Sequence, residues 1–485
     1  MTQTRTNLAW ETLFDVSAQP PGPLHDRLTR AIRSAIRDGR LPRGAALPPS
    51  RTLAADLNIS RWAVTQAYGQ LATEGYLSGR TGSATRVTWS PEPDEEDRST
   101  RRVPAPRELA PPPPPRFDLR IWGADYRAFP RRKWVEAIRI AAETTPFDHL
   151  DYGDLGGEPR LRAVLAEHLN RSRGADTDVS TVCVYSGARQ SLVQLSRALV
   201  AAGHRRIGVE SPGSCGLWDP VQAAGLEVVP LPADRGGLIT DALGQHRDLR
   251  AVCLGAARQI LLGGPLAPDR RSALLDWARR VDGIVVEDDY DSEFGYEGPV
   301  PPVMQGRDRR RVALLGSMSR ALTPTTNVGW VVPPPHLVDA VRTSVLPAPT
   351  PPALNQLALA HFMESGAYDR HLRASRLRFR TRRNALLAAL GRHLPGYPVT
   401  ATESGLHVLV ELPDGTDLPG LVTEAARHGA ALCDPTDMWS GFPPAPLLPI
   451  GYANLNDPVI DEAVAVLAGL LSTGAEGKDR VPAGR

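Results

Sequence analysis

Lysine is nearly missing from this sequence: of 56 basic residues only Lys133 and Lys478 are lysines, and the stretch between them has none. Chemistry that needs a free primary amine therefore has few sources. Cysteine is almost as sparse. Cys183, Cys215, Cys253 and Cys433 form no CxxC pair and no regular spacing, which argues against a disulfide framework and a zinc site. The histidines, among them His149, His168, His204, His246, His361, His371 and His407, show no metal-ligand spacing either. No stretch of about 18 uncharged apolar residues occurs, and "MTQTRTNLAWETLFDVS" lacks the basic start and apolar core of a secretory signal. Membrane insertion and export are not expected, and the cytoplasm is the expected location.

What is present divides the chain. At 485 residues it is too long for one ordinary core, so at least two domains are expected. A net charge of +2 does not by itself point to nucleic acid. The distribution is uneven, however: residues 20–88 hold ten arginines against four acidic residues. Within them "LHDRLTRAIRSAIRD" places Leu24, Leu28, Ile32 and Ala35 at helical spacing, ended by Gly39. Ser50 is an N-cap candidate for a helix with Leu53, Ala54 and Leu57 inward, and Ser60 for a third with Val64, Ala67, Tyr68 and Leu71 inward. "GYLSGRTGSATRVTW" reads as a two-stranded wing with a glycine turn. Residues 89–118, which carry nine prolines, five of them consecutive, read as a linker.

From 119 to 472, helical stretches alternate with short apolar runs such as "TVCVYSG", "RIGVES", "RAVCLG", "GIVVEDD" and "RVALLG". That pattern predicts an α/β domain on a parallel sheet, with a smaller subdomain from about 365 and a loose tail over 473–485. The basic stretch "YDRHLRASRLRFRTRRN" is read as a structural helix first.

Helix, helix, turn, helix, wing is an arrangement that reads DNA. Arg61, Trp62, Thr65 and Gln66, behind the Ser60 cap, stand where a helix start enters a major groove; Arg51 is placed for phosphate or a base edge, and Arg80 in the wing for the minor groove or backbone. "GRLPRGAALPPSRTLA", "SRWAV" and "AYGQLATEGYL" resemble the winged helix-turn-helix of GntR-type bacterial regulators, with Ala63 where that family places threonine.

In "VVEDDYDSEF", Asp288 and Tyr290 have the spacing to meet a protonated ring nitrogen and a phenolic oxygen, as pyridoxal phosphate offers; an acidic loop at a strand end explains the motif equally well. "YGDLGGEPRLRAVLAEHL", "YSGARQSLVQLSRALV", "ESPG", "VVEDDYDSEFGYEG" and "LLGSMSRALTP" follow the order of a fold type I aminotransferase-like domain. Joined to the reader, the chain over about 20–470 resembles the MocR subfamily of GntR-type transcriptional regulators. That resemblance implies an α+β winged helix-turn-helix followed by an α/β fold type I aminotransferase-like domain with a smaller C-terminal subdomain. It also implies binding of double-stranded DNA, homodimers with exchanged DNA-binding domains, and a pyridoxal phosphate site serving as a sensor.

Residue by residue, that site is altered. The resemblance puts Arg320 where the family's cofactor-bearing lysine stands, and a guanidinium supplies no free amine. Asn327 takes the place of the phosphate-binding arginine, Arg189 of a glutamine, Ser214 of the aromatic that stacks on the ring, Arg258 of a histidine, and Pro449 of the arginine that holds a substrate carboxylate. Gly187, Ala188, Ser317 and Ser319 keep phosphate-binding character. The expectation is a regulator and not an enzyme, with no covalent cofactor and no metal site. Non-covalent pyridoxal phosphate or another anionic ligand remains open, and three arginines facing one cavity would favour an acidic small molecule. The alternatives are a pyridoxal-phosphate-dependent transferase or sensor using a non-standard amine, and a ligand-insensitive DNA-binding scaffold.

Overall fold

The computed structural model describes residues 10, 14, 16, 19–79, 84–89, 114–151, 153–213, 215–295, 300–344, 350–401, 404–441, 445–455 and 457–476. The chain divides into two units, Met1–Pro112 and Pro113–Arg485.

In the first unit, α1 (Leu24–Arg37), α2 (Ser50–Asp56) and α3 (Arg61–Thr73) enclose a core of Leu28, Ile32, Ala35, Leu53, Val64, Ala67 and Leu71. Leu24, expected on the inner face, is instead 37% exposed and is not part of this core. Gly39 leaves α1 at φ +73°, a left-handed conformation that costs glycine little. Ser60 caps α3 by accepting from the Ala63 N–H at 3.2 Å. Ser50 does not act as a cap: it is the first helical residue, Pro49 stands at the cap position, and no side-chain cap bond forms. β1 (Leu77–Ser78) and β2 (Arg86–Val87) pair antiparallel, forming the wing; its turn lies outside the described residues. Bidentate hydrogen bonds from Arg33 to Glu74, as close as 2.7 Å, tie α1 to the end of α3. Trp89 packs on this core, so the unit reaches one residue into the expected linker.

The second unit begins with β3 (Phe117–Asp118), which pairs parallel with β14 (Ala430–Ala431). The expected linker therefore runs too far, since residues 117–118 already belong to a sheet. After α4 (Arg131–Thr144) and α5 (Pro159–Arg173) comes the main sheet, in the order β4-β11-β10-β9-β8-β5-β6-β7. Its strands are β4 (Cys183–Tyr185), β5 (Arg206–Ser211), β6 (Glu227–Asp234), β7 (Gly237–Leu238), β8 (Ala251–Leu254), β9 (Ile284–Asp288), β10 (Val312–Ser317) and β11 (Gly329–Val332). Helices α6 (Ala188–Ala201), α7 (Cys215–Ala223), α8 (Pro268–Val281) and α9 (Val338–Thr343) follow strands of this sheet. β5, β6, β8, β9 and β10 run parallel; β5, β8, β9 and β10 are mostly buried, which explains their continuous apolar runs.

The sheet is not wholly parallel as expected. β11 is antiparallel to both β10 and β4, and β7 to β6. The connection from Ser317 to Gly329 contains only a short 3-10 turn and is too brief for a crossover back to the other end of the sheet. The chain reverses instead, through Asn327 at φ +52°.

The C-terminal part holds α10 (Ala353–Glu364), α11 (Ala367–His393), the antiparallel sheet β12 (Val399–Thr400), β13 (His407–Glu411), β15 (Leu447–Gly451), and helices α12 (Leu418–Arg427) and α13 (Ile460–Glu476). The tail read from 473 is thus helical as far as 476. The basic stretch is α11, and its buried Arg382 bonds Asp457 at 2.6 Å and lies 3.1 Å from Asp125. Among the described residues no helix is long and apolar enough to cross a membrane.

The Ser60 cap is one hydrogen bond on an exposed helix start. Ser60→Ala is expected to destabilise the first unit by about 1 kcal/mol, measured as an earlier denaturant midpoint for its transition in the full-length protein.

Candidate functional site

On the first unit, Arg51 near the start of α2 and Arg61, Thr65 and Gln66 on the first two turns of α3 are exposed, and Trp62 is 62% exposed. Neither Arg51 nor Arg61 has a carboxylate partner among the described residues. Thr65 folds its hydroxyl back onto the Arg61 carbonyl at 2.9 Å. Ala63 is 2% exposed and points into the core, so that position does not present its side chain on the exposed face. The sequence reading overlooked His25, on α1, whose ring meets Trp62 edge-on at 5.3 Å. Arg80 lies outside the described residues, as does Ser214 in the second unit.

In the second unit the expected residues collect at the C-terminal ends of β9 and β10 and at the start of α6. Gly187 begins α6 at φ +86°, and a Cβ on Gly329 would lie 2.3 Å from the Gly187 carbonyl carbon, so only glycine lets α6 dock on β11 there. Ala188 opens the helix. Ser317 and Ser319 hydrogen-bond each other at 2.9 Å.

Arg320 takes up the place that the resemblance gives to an amine. Its Nη1 donates to the carbonyls of Ile121 at 2.6 Å and Gly123 at 3.1 Å, and its guanidinium carbon stands 5.8 Å from the ring centroids of both Trp122 and Tyr290. Arg258 is 3% exposed and donates to Asp291 Oδ2 at 2.6 Å. Its Nη2 faces His407 Nδ1 at 3.3 Å, while His407 Nε2 faces the Leu261 carbonyl at 3.1 Å. Burial and the neighbouring Arg258 hold His407 well below the usual imidazole range, so the ring is neutral, with Nδ1 accepting and Nε2 donating. Arg189 is exposed on the first turn of α6.

The three arginines therefore do not form one unpaired cluster, and the argument for an acidic ligand loses its footing. Arg258 is neutralised by Asp291, Arg320 is bonded to backbone carbonyls, and Arg189 faces outward.

The acidic groups are the less satisfied ones. Asp288 Oδ1 and the Tyr290 hydroxyl are buried without hydrogen-bond partners. Burial, reinforced by Asp289 and Asp291 and opposed by Arg320, pushes the Asp288 carboxyl up to about 7, and burial also pushes the Tyr290 phenol up. Glu210, 5% exposed, accepts from the Gly255 N–H at 3.0 Å and is pushed by burial up to about 8. The sequence reading passed over Glu210 and Asp291, and considered His407 only as a metal ligand, which its spacing did not support. The first two lie inside motifs it quoted, whereas His407 becomes relevant only through a contact far along the chain.

The residues present do not fit covalently held pyridoxal phosphate. No amine stands at residue 320, and Lys133, on α4, is exposed and paired with Glu136 at 2.8 Å. Asn327 brings no charge to the phosphate side.

Residues 24–87 match the family described as "Bacterial regulatory proteins, gntR family" and residues 125–427 match "Aminotransferase class I and II". The chain is 32% identical over 462 residues to the HTH-type pyridoxine biosynthesis transcriptional regulator PdxR of Corynebacterium glutamicum, covering 94% of this chain and 97% of that one. It is 31% identical to the probable rhizopine catabolism regulatory protein MocR of Rhizobium meliloti, covering 95% and 97%. The crystal structure of an archaeal alanine:glyoxylate aminotransferase superposes with a TM-score of 0.68 at 21% identity, over 74% of this chain and 91% of that one, a likeness of fold. Fold and comparisons together define the class: a winged helix-turn-helix DNA reader fused to an aminotransferase-like α/β unit. The chain belongs to the MocR group of GntR-type transcriptional regulators.

Two outcomes follow from the buried charges. Arg258→Ala strands Asp291 without its partner and is expected to cost about 3–5 kcal/mol, read by chemical denaturation. Asp288 binds its proton more tightly folded than unfolded, so its contribution to stability is lost as pH rises toward about 7. The melting temperature is expected to fall as pH rises from about 4 to about 7, and to fall less in Asp288→Asn.

Proposed function

We propose that this protein regulates transcription by sequence-specific binding of double-stranded DNA as a homodimer with exchanged DNA-binding domains, and that it performs no transamination. Its aminotransferase-like unit serves dimerisation and holds a small molecule without a covalent bond. What supports the reading is that Arg51 and Arg61 are exposed without a carboxylate partner among the described residues, while Arg320 stands where the resemblance puts the cofactor's amine. Arginine and glutamine on a helix start supply the donors that read guanine and adenine edges, and Arg51 supplies a phosphate contact.

A second copy of the chain suits the apolar surface of the large unit. Val135 and Ile138 on α4 are 64% and 38% exposed, and Phe147 and Leu150 just beyond that helix are 94% and 53% exposed. Patches of this kind mark association surfaces. The cytoplasm, with association to the nucleoid through bound DNA, is the setting this function requires.

The test is selection of a bound sequence from random duplexes, followed by titration of the selected duplex at fixed salt. Arg61→Ala is expected to weaken binding by roughly 5- to 150-fold and to relax selectivity at one base position, and Arg51→Ala to weaken it with sequence preference intact. Equal affinity of the unmodified protein for selected and scrambled duplexes would contradict the proposal.

A further inference from the structure

The start of α3 carries an apolar front on a basic face. Trp62 is the second residue of that helix and is 62% exposed. Thr65, Gln66 and Gly69, at helical spacing from it, are exposed on the same side. A single exposed aromatic needs no explanation on an ordinary surface. This one is buttressed. The His25 ring reaches it from α1 and meets it edge-on, with centroids 5.3 Å apart and planes at 71°, while His25 Nε2 lies 3.4 Å from Asp26 Oδ1. An edge-to-face pair restricts how the indole can turn and leaves the rest of its surface open.

The neighbours decide what that surface can meet. Thr65 spends its hydroxyl on the Arg61 carbonyl at 2.9 Å, so the side chain has its methyl left to offer. Gly69 lies inside the helix, where glycine is weaker than alanine, yet a Cβ added there would meet nothing within 4 Å. The unit's own packing does not call for that glycine, and a missing side chain lets a partner come close to the helix. The face is thus apolar at its front and flat behind.

Charge names the partner. Arg51 and Arg61 are exposed without a carboxylate partner among the described residues and suit a polyanion. Phosphate is nevertheless a poor match for the Trp62 front itself, since the Asp26 carboxyl stands beside His25 and an indole and a methyl bring no charge. Among the groups that a duplex displays in its major groove, the thymine C5-methyl is the apolar one.

We propose that Trp62, buttressed by His25, recognises a thymine by its C5-methyl, with Gln66 on the same face bonding an adenine edge. This rests on the reading that the first unit binds duplex DNA sequence-specifically, and it names a base of the bound site. Trp62 meets the base; His25 acts through Trp62 and is a positioning residue.

Thymine and uracil differ by that methyl alone. A duplex selected by the full-length protein is remade with uracil at one thymine position at a time and titrated at fixed salt, with melting temperature recorded for every variant. At one position the change is expected to weaken binding about fourfold per half-site, the worth of one buried methyl, and elsewhere to have little effect. Trp62→Ala, an exposed change that leaves the core intact, is expected to bind the thymine and uracil duplexes alike. His25→Ala is expected to lower the thymine-to-uracil ratio, and His25→Phe, which keeps a ring edge, to preserve it. A merely structural role for His25 would weaken both duplexes equally and leave the ratio unchanged, which would overturn its positioning role. A selected duplex with no uracil-sensitive position, or a sensitivity that survives Trp62→Ala, would overturn the proposal while the DNA-reading function stands. Failure to select any duplex would overturn that function, and the proposal with it.

Discussion

A guanidinium at residue 320 stays charged near neutral pH and offers no free amine for bonding to an aldehyde. Around that constraint the large unit has settled a different set of contacts. Arg320 bonds the Ile121 and Gly123 carbonyls, and so fastens the segment that follows β3 to the ends of β9 and β10. The place that the resemblance gives to a reactive amine thus holds a structural tie. Arg258 and Asp291 neutralise each other a short way off, with a neutral His407 turned to accept from the guanidinium. The atoms beside them that lack a hydrogen-bond partner among the described residues are Asp288 Oδ1 and the Tyr290 hydroxyl. Charge at this site has been redistributed rather than erased.

The DNA-reading unit follows a simpler logic. Its interior is an ordinary apolar core of three helices and a wing, while the start of α3 leaves Arg61, Trp62 and Gln66 exposed. The Ser60 cap and the Arg33–Glu74 tie fix that helix start from both ends of α3. The residues that hold the scaffold together are thereby different from those on its exposed face.

Much of this was legible in the sequence because the signals are local. Helical spacing gave α1, α2 and α3, the glycine turn gave the wing, and continuous apolar runs gave the central strands. Asp288, Tyr290, Ser317, Ser319 and Arg320 do gather at neighbouring strand ends. What escaped was set by contacts between distant residues. β11 is a four-residue strand that starts in glycine, and its direction follows from a left-handed turn at Asn327 that no periodicity announces. The Arg258–Asp291 pair and the approach of His407 across 149 positions decide whether three arginines form a cluster, and residue types alone do not reveal such pairings. Leu24 and Ser50 were misplaced by one helical turn or less, where tertiary packing and Pro49 overrule local propensity.

The claim that residue 320 ends covalent cofactor chemistry is tested most directly by mixing the purified full-length protein with pyridoxal phosphate, reducing with borohydride and measuring the intact mass. The account predicts an unmodified chain, with no saturable adduct. A stoichiometric one-to-one adduct, mapped to Lys133 or to the amino terminus, would contradict it, because an amine would then reach the pocket by a route these contacts do not provide.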